Sequence, residues 1–301
     1  MQTTRGLVLF LVLATAACRA GAGGFPELRN CHDEDLQAAV DQLISANANW
    51  TAAIHGREAS VVVADVTDPK RPLVAWYNPE RMFYAASLPK IAIILAVFVE
   101  VDAGRLELDD ETRTQLIRTV KVSSNRDATA LLNKVGIERV AEILQDPAHG
   151  KLYDPDYGGG LWVGKPYSKA PAWKRDPINH ISHGSSAMAA ARFYYGASTG
   201  TLIDHKHLPL LEEMFGKPGV NHKFVKGLQG REPEVFRKSG TWRTTHADSA
   251  VIVHPDGDAY LVVVIGEGRG GSEELEKFIR KLDDLMESRF QKRQANRTSA
   301  P

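Results

Sequence analysis

The sequence is poor in cysteine and has no excess of charge of either sign. Two cysteines, Cys18 and Cys31, stand among 301 residues, too few for a disulfide framework or a four-thiolate zinc site. Basic and acidic side chains number 37 each. Without a basic excess nothing neutralises a row of phosphates, which excludes nucleic acid as a partner. Long apolar runs are also scarce. Leu7–Ala17 is an eleven-residue run, short of the roughly 20 residues that span a bilayer, and no other stretch free of charge is long enough. What remains is ordinary globular composition, 43% hydrophobic and 25% charged, so one large or two modest domains must be held together by a core.

The apolar run follows Arg5 and precedes small residues, the pattern of a secretory signal. Two cleavage positions are open. Cleavage after Ala22 removes residues 1–22 as a signal peptide. Cleavage after Ala17 leaves Cys18 as a lipid-anchored N-terminus in a Leu-Ala-Thr-Ala-Ala-Cys context that resembles a bacterial lipobox, although Thr15 fits it poorly. Either way the expected location is outside the cytoplasm, periplasmic or secreted. Loss of residues 1–22 takes Arg5 and Arg19 with it and leaves 35 basic against 37 acidic groups, a formal charge of −2.

Periodicity divides the rest. Residues 33–48 place Leu36, Ala39, Val40, Leu43 and Ile44 on one helical face behind acids in the first turn. Val61–Asp65 and Leu73–Tyr77 are β-rich runs joined by a Pro-containing turn. Leu88–Val101 is apolar on nearly every face, which predicts a helix buried inside the domain, with Lys90 the anomaly in it. Helical patterns follow at 110–121, 126–134, 137–145, 185–197 and 207–215, strand patterns at 235–242, 247–254 and 260–266, and a last helix at 273–290 before a polar tail, 291–301. The Gly-, Pro- and aromatic-rich segment 153–184 is too long for a simple connector and reads as a functional loop or lid. This order predicts an α+β fold: a five-stranded antiparallel sheet with the N- and C-terminal helices on one face and an inserted all-helical lobe on the other. The catalytic domain is expected over 25–290, its α/β part 25–85 and 233–290 and its helical part 86–232, as a monomer.

Ser87-Leu88-Pro89-Lys90 sets a hydroxyl at a helix start and an amine three residues on, nearly one turn, so both project from one face. Burial lowers an amine's pKa and suits it to take a serine proton near neutral pH; a surface lysine at a helix start has the same spacing. Ser123-Ser124-Asn125 precedes another helix, where Ser123 and Asn125 are also plausible helix caps. Lys238-Ser239-Gly240-Thr241 ends a strand, where Lys238 is open to being a solvated charge.

Together, Ser-x-x-Lys, Ser-x-Asn and Lys-Ser-Gly in this order resemble the penicillin-recognising serine hydrolases, the class A β-lactamases and penicillin-binding proteins. The resemblance covers roughly residues 33–290. It implies that Ser87 is the acylated nucleophile and Lys90 its general base, that Ser123 passes a proton to the departing lactam nitrogen, and that Asn125 bonds the substrate amide. Lys238, with Ser239 and Thr241, would attract the substrate carboxylate. Gly240 would let the strand approach closely, and the Ser87 and Thr241 N–H groups would form the oxyanion hole. A β-lactam or D-amino-acid peptide is the implied substrate, with no cofactor and no metal. His180 and His183, or His205 and His207, have spacings a metal could use, but no carboxylate or third histidine completes a site.

The sequence departs from class A in two places. Glu-x-x-x-Asn, whose glutamate activates the deacylating water, is missing; Asp176-Pro-Ile-Asn179 is its nearest imitation, one residue short, and makes Asp176 the candidate deacylation base. The interval from Ser87 to Ser123 is only 36 residues, well short of class A spacing. Both departures bear on hydrolysis of the acyl-enzyme more than on its formation. They leave three implied activities: β-lactam hydrolysis, a D-Ala-D-Ala carboxypeptidase or esterase, and a penicillin-binding sensor. The 153–184 segment also sets Trp162, Tyr167 and Trp173 beside Lys165, Lys169, Lys174 and Arg175. They read equally as a lid for an anionic ligand or as aromatic pins to the core.

Overall fold

The computed structural model describes residues 24–298 except Ala170, Arg269 and Gly270; the expected signal segment, with Cys18, lies outside the described residues. Asp33 starts the first helix, its carboxylate accepting the Leu36 N–H at 2.7 Å. In α1 (Glu34–Ser45) Leu36, Val40 and Ile44 are buried, the face expected from their spacing. The helix ends earlier than expected because Asn47 accepts the N–H groups of Asn49 and Trp50 and starts α2 (Ala48–His55), a helix too short to show a clear period.

Every residue of β1 (Ala59–Asp65) is buried, as consecutive apolar positions require of a strand covered on both faces. It pairs with β2 (Leu73–Tyr77). The chain then enters the helical lobe: α3 (Lys90–Asp102), α4 (Asp110–Lys121), α5 (Asn125–Val135), α6 (Ile137–Gln145), α7 (Ala187–Ser198) and α8 (Leu208–Phe215). Lys90 through Glu100 of α3 are all buried. The chain returns as β3 (Glu234–Trp242), β4 (Thr245–Val253) and β5 (Ala259–Glu267), and closes with α9 (Gly271–Thr298). The sheet order is β2-β1-β5-β4-β3, antiparallel throughout, which leaves β3 on an edge.

Side chains alternate across this sheet as strand geometry demands. Val61 and Val63 of β1, with Tyr260, Val262 and Val264 of β5, join the cluster under α1, α2 and α9. Val62, Ala64, Leu261, Val263 and Ile265 join the cluster under the helical lobe. The expected architecture is therefore present: terminal helices on one face, helical lobe on the other.

Two differences have local causes. The C-terminal helix continues to Thr298 where a polar tail was expected from residue 291, because Arg293 bonds Asp65 at 2.7 Å and Thr67 at 3.0 Å and also Asp258. Two-residue strands, Phe83–Tyr84 and Trp162–Val163, flank His183–Ser185 in a second sheet; strands this short carry no periodicity to read. No helix among the described residues is long and apolar enough to cross a membrane.

Candidate active site

Three segments distant in sequence meet at one end of α3. Ala86 has a left-handed φ of 53°, which turns the chain from the Phe83–Tyr84 strand into the helix and leaves Ser87 partly exposed at the turn. Gly240 on the edge strand β3 packs against this turn. A Cβ there would lie 2.1 Å from the Ala85 carbonyl oxygen and 3.0 Å from the Ser87 nitrogen, so only glycine allows the approach.

Lys90 is fully buried. Its amine donates to the Ser123 carbonyl at 2.6 Å and to Asn125 Oδ1 at 2.7 Å, with Ser123 Oγ at 3.4 Å. Lys238, 2% exposed, donates to the same Ser123 Oγ at 2.8 Å and to the Ser239 carbonyl at 2.8 Å. Two lysines thus share one hydroxyl. Burial lowers Lys90 to a pKa of about 7; burial first, then the charges of Lys90 and Arg237, push Lys238 well below its usual value. Among the described residues Ser87 Oγ has no hydrogen-bond partner, and Lys90 turns to Ser123 and Asn125 in the resting state.

Helix capping does not account for Ser123 or Asn125. Ser124 caps α5, its oxygen accepting the Asp127 N–H at 3.2 Å, while Ser123, held at a φ of 55°, and Asn125 face the lysines. Ser239 Oγ lies 3.4 Å from His222 Nε2, and Thr241 is exposed at the strand edge. Ser87, Lys90, Ser123, Asn125, Lys238, Ser239, Gly240 and Thr241 are brought into one constellation.

Asp176 is not part of it. Its fully buried carboxylate accepts the N–H groups of Ile178, Asn179 and Ile181 at 3.2, 2.7 and 2.6 Å and the Tyr153 hydroxyl at 3.2 Å. Fully buried and bonded within its own loop, Asp176 makes no hydrogen bond to Ser87, Lys90, Ser123 or Lys238, and its visible role is to hold that loop. The aromatic segment divides between the two readings. Trp162, 2% exposed, pins the loop by donating to the Lys174 carbonyl at 3.1 Å. Trp173 is 51% exposed. The Tyr167 ring lies 4.6 Å from Lys90 Nζ and packs, tilted by 40°, against His183 with centroids 4.3 Å apart.

Sequence reasoning missed three groups: Tyr167 as the neighbour of Lys90, the buried Arg237–Asp248 pair at 2.7 and 2.8 Å, and Lys223 beneath β3. Only Arg237, beside the Lys-Ser-Gly motif, carried a local signal. Of the histidines whose spacings a metal could use, His183 has its Nε2 3.1 Å from the Lys165 carbonyl and His207 its Nε2 2.7 Å from Asp102.

Residues 36–124, which include Ser87, Lys90 and Ser123, match the sequence profile of the β-lactamase enzyme family. No curated protein matches the chain in sequence. Among solved structures it resembles PBP-A, with a TM-score of 0.65 and 17% identity over 85% of this chain and 97% of that one. It also resembles a β-lactamase from Chitinophaga pinensis, with a TM-score of 0.63 and 19% identity over 82% and 97%. A variant of the class A β-lactamase of the last common ancestor of Gram-negative bacteria superposes with a TM-score of 0.62 and 17% identity over 84% and 98%. The chain therefore has the fold of these β-lactamases and PBP-A, and residues 36–124 within it carry the sequence profile of the β-lactamase enzyme family.

Proposed function

We propose that Ser87 is acylated by a β-lactam, or by the equivalent D-amino-acid amide, and that the acyl-enzyme is hydrolysed slowly. The observation that carries this reading is the pair of lysines on Ser123 beside the Ser87 turn. Among the described residues no carboxylate bonds Ser87, Lys90, Ser123 or Lys238.

A neutral Lys90 amine has two N–H donors and one lone pair. The short contacts to Ser123 and Asn125 use the donors, and the lone pair takes the Ser87 proton as Oγ bonds to the carbonyl carbon. The oxyanion would sit on the N–H groups of Ser87 and Thr241. The proton then passes from Lys90 through the Ser123 hydroxyl to the lactam nitrogen as the C–N bond breaks, while Lys238, Ser239 and Thr241 hold the substrate carboxylate.

Release needs an activated water. Asp176 is bonded within its own loop and the Tyr167 ring stands over Lys90, and among the described residues no carboxylate is bonded to the site to serve as that base. A variant of PBP-A has been solved as its acyl-enzyme with penicillin G, and the corresponding adduct is the expected product here. The same lack of a base supports a second reading, a D-Ala-D-Ala carboxypeptidase or esterase. With export of the chain, the reaction belongs in the periplasm or outside the cell.

Intact mass spectrometry after mixing with penicillin G tests the proposal. One equivalent should add and persist, Ser87→Ala should add none, and turnover of a chromogenic cephalosporin should fall far below the median enzyme rate of about 10 s⁻¹. Fast turnover that depends on Ser87 would remove slow release and leave hydrolysis; no adduct at all would remove the acylation chemistry.

A further inference from the structure

The far end of β4 carries a cluster of side chains that acylation leaves unused. His254 is the first residue after β4. About 26 Å of strand, at about 3.3 Å per residue, separates it from His246, which pairs with Thr241 at the Ser87 end of the sheet. Asp283 and Glu287 face it from α9, about one helical turn apart. One ligand atom from each of the three lies within 4.8 Å of the other two.

Burial sets this cluster apart from a surface patch of acids. His254 is 6% exposed and Asp283 is fully buried, while the Glu287 side chain, 43% exposed, reaches in from solvent. The Asp283 carboxylate is held from behind: Oδ2 accepts from Arg231 at 2.8 Å and Oδ1 from the Tyr260 hydroxyl at 2.8 Å. A carboxylate oxygen has two lone pairs, so Oδ1 keeps one. His254 Nε2 stands 3.2 Å from that same Oδ1, yet among the described residues this buried nitrogen has no hydrogen-bond partner. A close approach without hydrogen-bond alignment is the separation of two atoms that bind one ion, since donors about 2.1 Å from a tetrahedral or octahedral metal lie about 3.0–3.4 Å apart. His254 Nδ1 is 3.5 Å from Glu287 Oε1, which places the third donor on the open side of the ring.

The field favours a cation. Burial lowers the His254 pKa, but the carboxylates of Asp283, Glu287 and Asp256 outweigh it and hold the pKa above the usual value. The Arg231 counter-charge is divided between Asp283 and Asp284.

We propose that His254, Asp283 and Glu287 bind a divalent transition-metal ion, Zn²⁺ being the best match, and that the ion ties the turn after β4 to α9. An imidazole nitrogen and two carboxylate oxygens are donors that Zn²⁺ accepts, and water completes its coordination. Tyr260 and Arg231 then serve to orient the Asp283 ligand. The imidazole gives up its proton on binding, so acid competes with the metal. The ion is structural, at the opposite end of β4 from the Ser87 turn.

Zinc titration of the EDTA-treated protein at pH 8, followed by calorimetry and by thermal unfolding, tests the site. The wild type should take up one equivalent, and its Tm should rise by about 5 °C at a hundredfold excess of Zn²⁺ over Kd. Mg²⁺ at the same concentration should leave Tm unchanged, because it holds its water and prefers oxygen donors. His254→Gln should lose the equivalent. If that buried variant does not fold, Glu287→Gln still decides: it alters an exposed side chain, should keep its metal-free Tm within about 2 °C of the wild type, and should bind Zn²⁺ about 100-fold more weakly. A wild-type Tm unmoved by zinc, a shift of the same size in Glu287→Gln, or equal stabilisation by Mg²⁺ overturns the site; zinc held by histidines elsewhere on the chain would give the second of these results. None of these readouts uses Ser87, so the site stands or falls apart from the acylation reading.

Discussion

Lys90 sits in a helix that offers its ammonium almost no water, and the physical result is a base matched to neutral pH. Burial alone takes its pKa to about 7, so the neutral amine that would accept the Ser87 proton in the proposed acylation is present in quantity near neutral pH. The sign of the pH dependence follows. The base works unprotonated, so the acylation rate should rise about tenfold per pH unit below 7 and level off above it. Arginine cannot lose its proton in this range. Lys90→Arg should therefore lower the acylation rate by about 10²- to 10⁴-fold and flatten the profile, as stopped-flow or quenched mass measurements across the neutral range would show. Lys90 was legible in the sequence because one lysine interrupts an apolar helix. Its partners Ser123 and Asn125 were legible only as motifs; the bonds from one to the other join residues 33 and 35 positions apart. The composition of its segment marked Tyr167 as a lid residue or a pin without placing it over Lys90, and Lys223 carried no signature at all, because its burial depends on the end of β3.

Elements decide what those residues can do. Helix α3 hides Lys90, the edge strand β3 brings Gly240, Thr241 and Lys238 to the Ser87 turn, and the loop from Gly164 to Ser182 sets Tyr167 over the amine. That loop is closed at its base by the Gly164 N–H donating to the Ser182 carbonyl at 2.7 Å, and is held internally by Asp176. In Asp176→Asn an amide NH₂ or a single carbonyl oxygen replaces acceptors that now take three N–H groups and a hydroxyl. The exchange should cost about 1–3 kcal/mol of local stability and make segment 164–182 the first site of limited proteolysis, with acylation of Ser87 retained. Loss of acylation with no change in proteolysis would restore a direct chemical role to Asp176. The length and Gly–Pro composition of 153–184 announced a functional loop, but its short strands were too brief to read, and which aromatic would pin it and which would face the site depended on contacts made elsewhere.

At the scale of the whole molecule, the two ends of the described chain close one side of the sheet. Arg293, near the end of α9, bonds Asp65 of β1 and Asp258 beside β5, carboxylates whose side chains are 4% and 8% exposed. Arg293→Ala would leave both buried without their cation, at a cost of about 2–4 kcal/mol, a fall of about 5–10 °C in Tm that calorimetry would detect; an unchanged Tm would mean these carboxylates find other partners. The sequence alone determined the class and layering of this protein. Periods of 2 and 3.6 follow from backbone geometry, a run such as VVVAD must be covered on both faces, and motif residues carry their chemistry as side-chain identity. Tertiary structure decided everything that depends on distance: that two lysines share one hydroxyl, that a tyrosine ring stands over Lys90, that Asp176 is bonded within its own loop, and that the helix persists to Thr298. Such facts rest on desolvation and on hydrogen bonds between segments far apart in the chain. Those terms have no value until the chain has folded and brought the groups together.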